Sequence, residues 1–256
     1  MKKNSYFRKV LRRQNLVQNF IFSFFLGIAS YPRLILEVYL RKNFGQRYFS
    51  LASALTVAVI LILLPVAADS IFKTRFYEGG HQLSFWGKYL SWYIFTGGFL
   101  FFSFLRWREI ERSPSVFEFG RFSLHSGDIN PIFYQIKPFG KKINVRSIET
   151  IFEPLIFFVL GFILSYFGQK VGILLMTSSI LYGFSYAGAY RIGDDFVMDK
   201  IDEIIMNEEL EKAFVDDLPS DKTRGVRFYT DKPESKQLRQ KLSESFLENE
   251  ETTYAV

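Results

Sequence analysis

The chain has 256 residues, with 32 Lys plus Arg against 26 Asp plus Glu, and it contains no Cys. Without cysteine there is no disulfide framework, thiol nucleophile, haem attachment, Cys-based zinc site or palmitoylation site. The net charge of +6 hides two unlike parts: residues 1–190 carry 22 basic and 9 acidic side chains, residues 191–256 carry 10 and 17, so a basic part suited to anionic headgroups precedes an acidic part that is not.

The first basic cluster, Lys2, Lys3, Arg8, Lys9, Arg12 and Arg13, adjoins apolar sequence. Each such charge near an anionic leaflet is worth about 1 kcal/mol, so these six form an expected membrane-surface patch. The next apolar run, Phe20–Tyr31, has 12 residues, too few for a crossing, which takes about 20. With Arg13 before it and Arg33 after it, it reads as an interfacial or re-entrant segment. A signal peptide cleaved near Gly27, Ile28 and Ala29 is the alternative, but it would leave Arg33, Arg41, Lys42 and Arg47 on the outer face, against the charge rule. Pro32 suits a first helical turn and Gly45 a helix end, which predicts a short helix to about Phe44. Arg33, Glu37 and Arg41 fall at i, i+4 and i+8 on it, one charged stripe on an apolar cylinder. That pattern fits a helix lying in the membrane plane, or one packed on the cytoplasmic mouth of a bundle.

Four longer apolar segments follow: Tyr48–Ala68, Tyr89–Leu105, Pro154–Gln169 and Val171–Tyr190. Lys plus Arg outside them number 10 before the first, then 3, 8 and 1 in the successive connections, and 10 after the fourth. This positive-inside alternation places both termini in the cytoplasm. Small residues recur at i+4 as Ser50, Ala54 and Ala58, as Gly161 and Ser165, and as Ser179, Gly183 and Ala187. Such faces let helix backbones approach one another where lipid supplies no hydrophobic drive. Pro65 is expected to kink the first span, and the turn at Gly168, Gln169 and Lys170 makes the last two spans a tight hairpin.

The loop 106–151 suggests a small β-hairpin, with strands at Val116–Leu124 and Ile132–Ile136 around the turn residues Ser126, Gly127 and Asp128. Beyond Arg191, two amphipathic helices are expected. The first carries Val197, Ile201, Ile205 and Phe214, and the second Leu238, Leu242 and Phe246. Their apolar faces need cover, so these seven residues are candidates for docking a protein partner or a second copy of the chain. The domain plan is a basic interfacial segment 1–47, a first helix pair 48–105, a cytoplasmic loop 106–151, a second hairpin 152–190 and an acidic tail 191–256.

Chemistry-bearing motifs are scarce. Asp195, Asp199, Asp202 and Glu203 lie near one helix face, but acids four apart on a solvated helix are ordinary, and the twelve-residue calcium loop is missing. His81 and His125 lack partners at motif spacing. Gly79–Gly80 and Gly97–Gly98 lack the Lys and Ser or Thr of a phosphate loop. The apolar cores hold no ionisable group, and Glu153, before Pro154, reads as a helix-start residue, which disfavours proton-coupled transport. No catalytic, cofactor or metal residue is assigned, and no nucleic acid is expected as a partner, since topology alone accounts for the basic residues. The fold class is an all-helical four-span bundle with a mainly helical tail. The expected function is a non-enzymatic subunit of a bacterial inner-membrane assembly of the secretion or DNA-transfer kind. A homo-oligomeric channel gated by the tail is the second reading.

Overall fold

The structure, a computed structural model, describes residues 3–11, 16–75, 85–111, 122–135 and 142–248. The helices are α1 (Leu16–Leu40), α2 (Leu51–Arg75), α3 (Phe85–Glu111), α4 (Ile132–Gln135), α5 (Val145–Ser147), α6 (Glu153–Tyr166), α7 (Val171–Leu210) and α8 (Lys236–Phe246). A π-helical turn, Ile148–Phe152, joins α5 to α6, and another, Glu211–Val215, extends α7. The described strands are the two-residue β1 (Lys3–Asn4) and β2 (Leu247–Glu248), paired antiparallel. Among the described residues, four helical stretches are long and apolar enough to cross a membrane: Phe20–Leu40, Leu51–Ser70, Val145–Tyr166 and Val171–Val215.

That set differs from the expected one at two helices. The segment 20–31 and the helix after Pro32 are one continuous helix, α1, with Pro32 inside it. Proline removes a helix N–H and crowds the carbonyl four residues back. In the preceding turn Ser30 Oγ donates to Gly27 O at 2.6 Å. The helix ends at Leu40, not near Phe44. Conversely α3, though 27 residues long, is not among the four, because Lys88 and many Trp, Tyr, Ser, Thr and Gly dilute its apolar residues.

The chain divides into two compact units, one of Phe22–Ala189 and one of Met1–Ile21 with Tyr190–Val256. In the larger unit, Trp92 Nε1 on α3 donates to Leu61 O on α2 at 2.7 Å, and Ala54 and Ala58 are buried between helices. The α6–α7 hairpin closes on glycine. A Cβ on Gly161 would lie 2.7 Å from Gly172 O, and one on Gly172 would lie 2.5 Å from Ser165 N. Ser179 Oγ donates to Pro154 O, and a Cβ on Gly183 would lie 2.8 Å from Thr150 O. Ser50 and Ala187, expected in these seams, are exposed. Gly188, next to Ala187, is the buried one, against Phe22 and Leu26 of α1.

Lys170 N donates to Lys88 O at 3.2 Å, so the start of α3 and the α6–α7 turn share one end of the unit. The opposite end gathers the α1–α2 loop, the end of α3, residues 122–128 and the start of α6. There Gly45 N donates to His125 O, Arg47 N to Ser123 O and Asp128 N to Lys42 O, each at 2.8 Å. Gly45 is required by this approach, since a Cβ would sit 2.5 Å from His125 N; it does not end a helix. The expected hairpin is not formed by its second strand. Residues 132–135 are a helical turn, started by Pro131 and by Asn130 Oδ1, which accepts from Ile132 N at 3.1 Å. Most of its first strand, 116–121, lies outside the described residues.

In the smaller unit, both ends of the chain build one apolar cluster of Phe7, Met206, Leu210, Ala213, Phe214 and Phe228, with Tyr6, Leu242 and Phe246 packed on it. Asn4 ties this cluster with three hydrogen bonds. Its N donates to Glu203 Oε1 (2.9 Å), its Nδ2 to Asn207 Oδ1 (2.8 Å), and its Oδ1 accepts from Phe7 N (3.0 Å). Replacing fully buried Asn4 by Ala keeps the backbone bond to Glu203 but removes the two side-chain bonds, to Asn207 Oδ1 and Phe7 N, at an expected cost of about 1–3 kcal/mol. Limited proteolysis should then release residues 1–11 faster than in the parent, while an unchanged rate would mean that Asn4 does not hold the segment.

Candidate functional site

A buried polar cluster sits at the loop end of the larger unit. Helical spacing puts Arg33 and Glu37 on one face of α1, with Arg41 just beyond its end. Glu153 begins α6, and Tyr182 and Tyr186 lie one turn apart on α7. Arg41, Glu153 and Tyr182 are fully buried, and Glu37 is 1 % exposed.

Arg41 is the hub. Its Nε donates to Glu153 Oε1 at 3.1 Å and its Nη2 to Glu153 Oε2, a two-pronged pairing that suits the planar guanidinium. Arg41 Nη2 also lies 3.1 Å from Glu149 Oε1. Its Nη1 donates to Tyr186 Oη at 2.6 Å and reaches Ser126 Oγ at 3.3 Å. Tyr186 Oη in turn donates to Glu37 Oε1 at 2.6 Å, and Tyr48 Oη donates to the same carboxylate at 2.8 Å. Tyr182 Oη donates to Glu153 Oε2 at 2.5 Å. Arg33 Nε lies 3.3 Å from Glu37 Oε1, and Arg33 Nη1 donates to Ser185 Oγ at 2.9 Å. A continuous path thus runs from Tyr48 through Glu37, Tyr186, Arg41 and Glu153 to Tyr182. Burial works against the Arg41 charge, but Tyr182, Tyr186 and Glu153 more than offset it and hold its pKa above the ordinary value.

Chemically the arrangement is a clamp. Breaking one member leaves an uncompensated buried charge, whereas the intact pair contributes little net energy and much geometric definition. It ties α1 to α6 and α7 by groups that fit in one register only. Further contacts of α1 in this unit are Tyr39 Oη, which donates to Phe95 O at 2.5 Å near the middle of α3, Val38 O, which accepts from Arg106 Nε at 3.3 Å, and Phe22 and Leu26, which meet Gly188.

The sequence stripe of Arg33, Glu37 and Arg41 therefore marks one half of the cluster. Glu153 is not merely a helix-start residue; the neighbouring Pro154 masks its tertiary role. Tyr182, Tyr186, Ser179 and Ser185 bond across helices, and three of them enter the cluster.

Other expected positions scatter. His125 Nε2 lies 3.0 Å from Asp128 Oδ1 at the surface, and His81 lies outside the described residues. Among the described residues, no three His, Asp or Glu side chains converge where a metal could bind. Lys9 is exposed and Arg8 half-buried; Lys3 is in β1, while Lys2, Arg12 and Arg13 lie outside the described residues. Of the tail residues, Phe214 is buried, and Leu242 and Phe246 pack on the cluster that includes Phe7, so the chain's own N-terminal segment covers them. Ile205 is half-buried; Val197, Ile201 and Leu238 remain exposed. No protein-family model, curated protein or solved structure matches the chain.

Proposed function

We propose that the chain is a non-enzymatic, membrane-embedded subunit of a larger envelope assembly, of the secretion or DNA-transfer kind, and that it docks a protein partner through α7 beyond Tyr190. The membrane part rests on outward apolar side chains. Leu55, Val59, Ile60, Leu63 and Val66 on α2, and Leu155, Ile156, Val159 and Phe162 on α6, are all exposed, far more contiguous apolar surface than water-soluble proteins leave bare. In this reading α2, α3, α6 and α7 cross the bilayer. α1 lies against their cytoplasmic ends, held there by the Arg41 clamp, and the Lys and Arg alternation sets both termini inside.

The observation that carries the docking is the stretch 196–204 of α7. Phe196, Val197, Met198, Ile201 and Ile204 are all exposed, interspersed with Asp199, Asp202 and the nearby Asp194 and Asp195. Its acidity disfavours an anionic lipid surface and suits an apolar protein groove with a basic rim. Bonds inside the chain at Ser179, Tyr182, Ser185 and Tyr186 favour this reading over a homo-oligomeric channel. The double variant Phe196→Glu, Ile201→Glu tests the proposal by cross-linking mass spectrometry after affinity capture in mild detergent. A defined partner cross-linked at 194–204 should be lost in the variant, while the protein stays in the membrane fraction. An unchanged cross-link pattern would sink the proposal.

A further inference from the structure

The loop end of the larger unit carries cations that the fold leaves unused. Lys42, Arg47, Arg108 and Lys142 are all exposed, and none has an ion-pair partner among the described residues. The backbone beneath them is held in place. Lys42 O accepts from Asp128 N and Arg47 N donates to Ser123 O, each at 2.8 Å. Arg108 is next to Glu109, whose Oε2 accepts from Asn43 N at 3.3 Å. The described carboxylates beside these cations are committed inside the chain. Glu109 Oε1 accepts from Arg106 Nη1 at 2.5 Å, and Asp128 accepts from Asn43 Nδ2 at 2.7 Å and lies 3.0 Å from His125 Nε2. The segments that build this end, 41–50 and 106–151, hold 11 Lys plus Arg against 5 Asp plus Glu.

Apolar side chains stand among the same cations. The turn α4 buries Phe133 but leaves Ile132 and Tyr134 exposed, and Phe122 is 72 % exposed. The outward apolar face of α6 runs into this zone, since Val145, Ile151 and Leu155 are exposed in succession, with exposed Arg146 beside the first. Apolar side chains continuous with a lipid-facing helix, edged by unpaired cations, match the chemistry of the headgroup region of a bilayer. We propose that the loop end is a seat for anionic phospholipid, with lipid phosphates on Lys42, Arg47, Arg108 and Lys142 and with Phe122, Ile132 and Tyr134 in the interface. The sign follows from the committed carboxylates: the ammonium of a zwitterionic headgroup finds no spare acceptor, whereas an anionic headgroup meets only cations. An acidic protein would satisfy the cations but not their continuity with the outer face of α6. The assignment rests on the membrane reading of the proposed function.

The test uses the full chain in mild detergent. Its thermal unfolding midpoint is followed while dioleoylphosphatidylglycerol, dioleoylphosphatidylcholine or soluble polyglutamate is titrated in. The glycerol lipid should raise the midpoint saturably and the choline lipid should not. Each cation at an anionic surface is worth about fivefold in affinity. The triple variant Lys42→Gln, Arg47→Gln, Lys142→Gln should therefore raise the half-saturating concentration of the glycerol lipid about tenfold or more. Its lipid-free midpoint should stay at the parent value, because none of the three side chains holds an ion pair in the fold. A second triple variant, Lys9→Gln, Arg12→Gln, Arg13→Gln, should titrate like the parent. Equal response to both lipids, or an unchanged titration in the first variant, would overturn the proposal. So would a response lost in the second variant instead, or stabilisation by polyglutamate alone, which would point to an acidic protein. Release of the chain from membranes by alkaline carbonate would remove the membrane reading and this seat with it, whereas a carbonate-resistant chain with no lipid preference would overturn the seat alone.

Discussion

Replacing Arg41 by Met is expected to destabilise the larger unit by about 3–5 kcal/mol, the usual cost of removing one partner from a buried charge pair. Glu153 has 0 % exposure and would be left facing only Tyr182 and the second carboxylate, Glu149. The thermal midpoint in mild detergent, read by fluorescence-detected size exclusion, should fall accordingly. The double variant Arg41→Met, Glu153→Met should recover more than half of the loss, because replacing both partners by apolar groups removes the stranded charge along with the bond. A double variant as unstable as the sum of the singles would mean that the two side chains act independently and that no clamp exists.

The second large effect is expected at Gly172, where Val should separate α6 from α7. A Cβ there meets Ser165 N at 2.5 Å and Ser165 Cα at 2.9 Å, and backbone atoms on a paired helix cannot give way as a flexible side chain can. Overpacking of this kind costs about 1–3 kcal/mol or more. It also pulls Ser179 from Pro154 O and loosens the geometry that brings Tyr182 to Glu153. The control is Gly97→Ala on α3, where no atom lies within 4 Å of the added Cβ; helix propensity alone predicts a gain of up to about 1 kcal/mol. Equal midpoints for Gly172→Val and the parent would contradict close packing at the hairpin.

How far the sequence foretold this structure depended on whether a feature was local. Ala54 and Ala58, the small residues Gly161, Ser179 and Gly183, and the Gly168 turn announced close helix approach by spacing alone, and they sit at it. Gly172 did not, because it falls outside an i+4 series with the others; Ala187 fell in one but points outward beside the buried Gly188. α1 was divisible at Pro32 because proline carries the same signal at a helix start as at an interior position of a continuous helix. The charge cluster was half legible. The i, i+4, i+8 stripe on α1 is a one-dimensional pattern, whereas its partners Glu153, Tyr182 and Tyr186 come from helices more than 100 residues away in sequence. The tail shows the same limit. Phe214 and Phe246 were recognisable as faces in need of cover, but nothing local says that the cover is Phe7 and Tyr6 from the other end of the chain.

Because the chain has no cysteine, single introduced cysteines report their side of a membrane without background, and this tests the central claim most directly. Lys9→Cys, Lys42→Cys, Gln135→Cys, Lys170→Cys and Asp221→Cys each sit at exposed positions. With a membrane-impermeant maleimide on intact cells, and then on inverted vesicles, Lys170→Cys should label only from outside and the other four only from inside. That result would establish the crossings of α6 and α7, an even number of crossings between Lys42 and Gln135, and α1 held on the cytoplasmic side. Labelling of Lys9→Cys and Lys42→Cys from opposite faces would make α1 a fifth crossing, and labelling of all five from one face would remove the membrane-spanning account altogether.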